Sequence, residues 1–222
     1  MTAVVSRLAE VVTRIHAAER RAARPEDSVT LVAISKFQGL NLIEPVLGCG
    51  QRVFGENRVQ EASEKWGGLR SEIPNIELHL TGRLQSNKAR AAVELFDVIQ
   101  SVDRPELAEA LGCAMACTSR RPSCLVQVNT GREPQKGGIL PELADQLIAE
   151  CIERHALSVV GVMCIPPDVV DPEPYFTLLR EIADRNGLAV ISMGMSGDFE
   201  RAIECGSTHV RVGSAIFGDR LS

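Results

Sequence analysis

The sequence predicts an α/β protein, a single (β/α)8 barrel of the TIM type with an extra helix at its N-terminus. Three observations carry that prediction. Eight short apolar runs recur along the 222 residues, segments of helical period lie between them, and several of those segments close on Gly, where helices commonly end. Alternating strand and helix imply a parallel sheet, and eight such units in a chain of this length fit a closed barrel near the lower end of its size range. An open doubly wound sheet is the alternative. The first strand-to-helix turn lacks G-x-G-x-x-G, which weighs against its dinucleotide-binding form.

The elements follow in order. Residues 1–22 place Val4, Val5, Leu8, Val11, Val12 and Ile15 on one stripe, a helix that precedes the barrel of residues 30–218. The strand runs are TLVAIS, RVFGE, ELHLTG, DVIQSVD, SCLVQVN, VVGVMCI, AVISMG and HVRVGS. Between them SNKARAAVELF, RPELAEALGCAMA, PELADQLIAECIERH and PYFTLLREIADRNG have helical spacing.

Composition narrows the function classes. With 45% hydrophobic and 24% charged residues, the chain is long enough for one domain with a sizeable core, and two would be cramped. A net charge of −5 without long runs of one sign speaks against a nucleic-acid surface or a polybasic membrane patch, and RIHAAERRAAR and TSRR read as solvated helix ends. Seven cysteines without close CxxC spacing sit in apolar stretches, as expected of reduced, mostly buried thiols in a cytoplasmic protein rather than of a disulfide frame or a zinc site. No apolar stretch is long enough to cross a bilayer, and the amphipathic N-terminus is not signal-like.

In a barrel, function collects where strands end and loops begin. LVAISKF puts Lys36 at such an end, on the side shared by Val32 and Ile34, where it could reach solvent, pair with a carboxylate or form a Schiff base. The seventh strand runs into SMGMSGDFERAI, in which Ser196 or Asp198 could cap the next helix. The eighth runs into VGSAIFG, whose Gly213 and Ser214 allow close backbone approach to a ligand, and barrels often bind phosphate with these two loops. Alternation sends His209, Arg211 and Gly213 to one side, so Arg211 enters the barrel, to meet either a ligand or a carboxylate such as Glu56 or Asp103. Asn57 follows the second strand. His79, on the third, reads either as a hydrogen-bonded core residue or as part of the site, Ser86 and Asn87 as possible helix caps, and Met193 and Met195 as packing.

VAISK, FGENRVQE, GRLQSNK, SVD, VQVNTGREPQKGG and SMGMSGDFERAIECGSTHVRVGSAIFG together resemble the pyridoxal phosphate homeostasis protein family, single-domain relatives of the alanine racemase barrel. The resemblance covers almost the whole chain after the first helix. It implies fold type III among pyridoxal phosphate proteins, with Lys36 forming the aldimine, Ser196, Gly213 and Ser214 binding the phosphate, Arg211 near the pyridine nitrogen and Asn57 lining the pocket. The candidate cofactor contacts are thus Lys36, Asn57, His79, Met193, Ser196, Arg211, Gly213 and Ser214, with no catalytic or metal-ligating residue assigned. The sequence departs from the family at Arg58, where a tyrosine is usual, and at Leu78 and Leu80, where an aromatic pair is usual.

Three functions compete. The resemblance implies a pyridoxal 5′-phosphate carrier acting in vitamin B6 and amino-acid homeostasis without robust turnover, with the cofactor as partner and amino acids as candidate partners. An amino-acid racemase would need a proton donor on each face of the α-carbon. In alanine racemases the resemblance implies that a further domain supplies the second donor. That domain is not expected here, and Tyr175, the sole tyrosine, is the one substitute in view. Since the racemase dimer leans on that domain, a monomer is expected. A Schiff-base aldolase acting on a sugar phosphate is the third reading. An arginine at the ring nitrogen keeps it unprotonated and makes the ring a weaker electron sink, which favours the carrier.

Overall fold

The computed structural model describes residues 2–218. Eight parallel strands close into a barrel in chain order: β1 Thr30–Ile34, β2 Val53–Glu56, β3 Glu77–Leu80, β4 Val98–Val102, β5 Ser123–Val128, β6 Val159–Cys164, β7 Val190–Ser192 and β8 His209–Val212. Closure is made by β8 against β1, with Val32 paired to Arg211 and Ala33 to Val212. Every expected strand is present, but several runs overshoot at the C-terminal end. In AVISMG the strand ends at Ser192 and bonding to the eighth strand continues only to the Gly194 carbonyl, which accepts the Arg211 N–H at 3.0 Å; Gly194 then turns with φ 91°, and a Cβ there would meet Ala202 Cβ at 2.5 Å.

Helices cover the outside. The N-terminal stripe forms α1 Ala3–Arg21, which buries Val4, Leu8, Val11 and Ile15 and packs against α2 Leu40–Gly48, α8 Phe199–Glu204 and α9 Ser214–Phe217. Buried Glu19 on α1 accepts the Val29 N–H at 2.8 Å and the Ser28 hydroxyl at 3.1 Å, fixing the entry to β1. Around the ring follow α3 Val59–Glu72, α4 Ala89–Leu95, α5 Pro105–Ala116, α6 Ala144–Glu153 and α7 Glu173–Arg185.

Strand alternation separates two interiors of different chemistry. Outward residues such as Ala33, Phe54, Leu78, Leu80, Ile99, Val126, Val162, Met193, Val210 and Val212 join the helices in one apolar core, where Phe54 and Trp66 rings meet at 4.8 Å. Inside the barrel Val32, Leu125 and Met163 are buried apart from that core, among polar residues including His79, Gln100, Ser192 and Arg211. The cysteines are all free, but the expectation of mostly buried thiols holds for only part of them. Cys124, Cys151 and Cys164 are buried, each pushed up to about 12 chiefly by burial, whereas Cys49, Cys113 and Cys117 are exposed on helix faces and ends.

Candidate functional site

Lys36 leaves β1 on the inward side, and its neighbours are fixed from outside the barrel. Outward Ser35 donates its hydroxyl to Glu56 Oε1 at 2.7 Å, and Lys65 Nζ donates to the Ser35 carbonyl at 2.7 Å and to Glu56 Oε1 at 2.9 Å. Trp66 Nε1 adds a third donor to the same oxygen at 3.0 Å. On the other side of Lys36, Phe37 takes φ 63°, a left-handed conformation uncommon for a bulky residue and a frequent mark of functional turns. It is held by its N–H donating to Glu61 Oε1 at 2.5 Å, with the Arg58 guanidinium 5.8 Å over its ring.

The end of β2 brings in Asn57, whose Oδ1 accepts the Thr81 hydroxyl at 3.1 Å. This close approach of two loops requires Gly82, since a Cβ there would lie 2.3 Å from the Asn57 carbonyl oxygen. After β7 and β8 the chain builds the opposite wall. Ser196 does not cap α8. Its hydroxyl reaches across to accept the N–H groups of Gly213 and Ala215, each at 3.3 Å, and so ties the two loops together. Asp198 is the residue at the start of α8, and its carboxylate accepts the Met195 N–H at 2.6 Å; burial raises its pKa against that bond. The N–H groups of Ser196, Gly197 and Ser214 find no backbone acceptor among the described residues.

Arg211 enters the barrel as alternation requires, and neither Glu56 nor Asp103 pairs with it. Glu56 is turned outward to Lys65, and Asp103 pairs with Arg104 at 2.5 Å. Arg211, 4% exposed, donates instead to Ser192 Oγ at 2.8 Å and to the Cys164 carbonyl at 2.7 Å. Burial pulls its pKa down, opposed by Cys164 and Asp198. A buried guanidinium with neutral partners and no directly bonded carboxylate is an expensive group to keep for packing alone.

These pieces converge on one cavity of about 450 Å³ at the C-terminal mouth, lined by Lys36, Asn57, Ser196, Arg211, Gly213 and Ser214, together with Ile34, Gln38, Thr81, Ile165, Met195, Gly197 and Gly218. Six of the eight expected contacts are therefore brought together. The structure does not bring His79 or Met193 to this cavity. His79 lies on the inward side of β3 but toward the N-terminal mouth, where Gln100 and Glu77 bond both its ring nitrogens. Met193, fully buried, belongs to the apolar core outside the strands. Tyr175 sits in the first turn of α7 and does not line the cavity. Gln100 and Ser192, unassigned from sequence, carry a signal that was available: each is a polar residue inside a run otherwise suited to a buried strand. A larger groove of about 940 Å³ runs beside the cavity past Arg58, Arg83, Lys88 and Arg104 and shares Asn57 with it, but it lacks the two N–H-rich loops.

A parallel eight-stranded barrel with a lysine after the first strand and paired turns after the seventh and eighth has the architecture of the alanine racemase N-terminal domain, whose family model matches residues 7–221. The pyridoxal phosphate homeostasis protein of Aquifex aeolicus (strain VF5) is 39% identical over 223 residues, covering 96% of this chain and 97% of that protein. The protein of the same name from Escherichia coli (strain K12) is 35% identical over 233 residues, covering 99% and 98%. The chain belongs to the pyridoxal phosphate homeostasis protein family. Among solved structures, PipY of Synechococcus elongatus PCC7942 with pyridoxal phosphate bound is similar with a TM-score of 0.82 at 35% identity, covering 97% of this chain and 100% of that one.

Proposed function

We propose that this protein binds pyridoxal 5′-phosphate in the C-terminal cavity, holds it covalently through Lys36, and serves vitamin B6 and amino-acid homeostasis as a carrier without robust turnover. The observation that carries the reading is the convergence of Lys36, Arg211 and the Ser196 and Gly213 loops on one cavity, in a chain 35% identical to a protein solved with pyridoxal phosphate. The residues fit the group. Three backbone N–H groups without backbone acceptors, backed by Ser196, suit a phosphate, and a buried guanidinium suits an acceptor on a ring. Lys36 supplies an amine to condense with the aldehyde, with release of water.

Bound pyridoxal phosphate supplies an aldehyde that captures amines and a ring that withdraws electrons. What the chain adds is mainly restraint. Arg211 offers only donors, so a ring nitrogen placed against it stays unprotonated and withdraws electrons weakly. No carboxylate, imidazole, phenol or thiol is among the described residues lining the cavity, so a second proton donor for racemisation has no support there. A cytoplasmic location accords with seven free cysteines and with the lack, among the described residues, of a helix long and apolar enough to cross a membrane.

The test is reconstitution with pyridoxal phosphate, borohydride reduction and peptide mapping. Label on Lys36, with α-proton exchange of L-alanine near background in deuterated water, is the expected result. Label elsewhere or none overturns the site, and rapid deuterium entry with D-alanine accumulating overturns the carrier reading.

A further inference from the structure

Arg211 is the first member of a hydrogen-bond chain that crosses the barrel interior. Its Nη1 donates to Ser192 Oγ at 2.8 Å, and the Ser192 hydroxyl donates to Gln100 Oε1 at 2.7 Å. The Gln100 amide donates to His79 Nδ1 at 2.6 Å, and His79 Nε2 contacts Glu77 Oε1 at 2.7 Å. The directions are mutually fixed. An amide nitrogen can only donate, so Nδ1 of His79 accepts, and the ring proton lies on Nε2 and is donated to the carboxylate.

The chain therefore has a cation at one end, an anion at the other, and three neutral side chains polarised head to tail between them. It is an ion pair spread along the barrel axis, and such aligned bonds strengthen one another in a low-dielectric interior. The anionic end is secure, because the bond from His79 holds the Glu77 carboxyl below its usual range. Ser192, Gln100 and His79 are buried, at 0%, 0% and 1% exposure, whereas the Glu77 side chain is 46% exposed at the N-terminal mouth. Without the chain, Ser192 would be free to turn its hydroxyl and Arg211 would lose the aligned acceptor that holds one of its two bonded nitrogens.

We propose that Gln100, His79 and Glu77 are positioning residues for the cofactor cavity, setting the orientation and polarisation of Arg211 from the opposite end of the barrel. The rival account is that they only fill the interior and satisfy one another. The inference rests on the pyridoxal phosphate reading, and it is testable in the ligand-free protein as well.

Four variants separate the accounts: Gln100→Met and His79→Phe break the chain, His79→Asn keeps an acceptor for the Gln100 amide, and Glu77→Gln removes only the distant charge. Pyridoxal phosphate affinity is measured by absorbance titration, Arg211 guanidinium 15N shifts are measured by NMR without ligand, and thermal unfolding checks folding. Breaking the chain at Gln100 or with His79→Phe should weaken affinity about tenfold and move the Arg211 shifts, while His79→Asn, which keeps the acceptor for Gln100 and loses only the link to Glu77, should fall no further than about two- to threefold. Glu77→Gln should weaken affinity about two- to threefold and move the Arg211 shifts less, as fits a half-exposed charge. Unchanged affinity and shifts in the folded variants overturn the proposal, whatever happens to stability. If the wild type fails to bind pyridoxal phosphate, the functional reading falls, and the ligand-free Arg211 shifts still decide whether the chain positions the arginine. If the buried variants do not fold, Glu77→Gln at the exposed end decides.

Discussion

The barrel has two polar mouths. At the C-terminal mouth Lys36, Arg211 and the N–H groups of Ser196, Gly197 and Ser214 gather donors around a cavity of about 450 Å³ with no carboxylate among its described lining residues. At the N-terminal mouth a smaller cavity of about 260 Å³ is lined by Glu77, His79, Gln100 and His209, where donors and acceptors are matched. Close by, the Asp97 carboxylate is depressed below its usual range by bonds from the Leu78 N–H, Arg120 and Arg70 that outweigh its burial. The difference follows from topology. Parallel strands with helical crossovers point every helix N-terminus, with its unpaired N–H groups, at one end of the barrel. One mouth is therefore electropositive and fitted to an anion, while the other is a polar core closed on itself.

The largest test of this contrast lies behind the C-terminal mouth. Lys65 and Glu56 are 9% and 0% exposed, and together they pin Ser35 beside Lys36. Lys65→Met leaves a buried carboxylate short of a cation and should destabilise the protein by about 3–5 kcal/mol. For a chain of this size that is a Tm drop on the order of 10 °C. The double variant Glu56→Met/Lys65→Met should recover most of the loss, because removing both charges leaves neither unpaired. A double variant as unstable as Lys65→Met would show that shape, not charge, matters there.

The N-terminal mouth gives a pH signature instead. Burial, with help from the neighbouring His79, pushes His209 from 6.5 to about 4. Between those values the unfolded chain binds a proton that the folded barrel refuses. Stability therefore falls as pH drops through that window, by about 2–3 kcal/mol at its lower end. Denaturant unfolding across the window measures it, and His209→Leu should flatten the profile. An equally steep profile in the variant would assign the loss to groups other than His209, and not to Glu77 or Asp97, whose depressed carboxyls lose stability only at still lower pH.

How much of this was legible in the sequence depended on which side of the strands a residue faced. Outward positions follow the hydrophobic period, so β1 to β8 and the buried stripe of α1 could be read directly. Lys36 and Arg211 were legible because a charge in an apolar strand stands out against its neighbours. His79 was not, since alternation gives the side of a strand but not the height along the barrel axis, and two residues of height separate the rim from the core. Met193 failed for a related reason: β7 ends at Ser192, and the residue beyond it faces out. The link from Ser196 to Gly213 and Ala215 joins positions 17 and 19 residues apart, which no local pattern encodes.

The smallest expected effect is the sharpest test of what makes the C-terminal mouth a site. If its affinity comes from backbone N–H groups in the tied loops, then the shape of those loops matters more than nearby surface charge. Gly213 has φ −118°, which any residue can adopt, so a substitution there acts through space and not through strain. A Cβ would lie 3.4 Å from Ile34 Cβ and from the Ile34 carbonyl oxygen, close enough that alanine is tolerated and a branched side chain must push β8 away from β1. Gly213→Leu should therefore weaken pyridoxal phosphate binding by about 1–2 kcal/mol, or roughly 5- to 30-fold, the scale of an overpacked contact. Lys88→Ala and Lys136→Ala should stay within about twofold, because Lys88 lines the neighbouring groove and Lys136 is engaged with Glu133 and the Pro166 carbonyl. Titration of the three variants under one buffer decides it. A loss at Lys88→Ala as large as at Gly213→Leu would move the phosphate toward the basic groove between α3 and α4, and the contrast between the two mouths would then have to be redrawn around that groove.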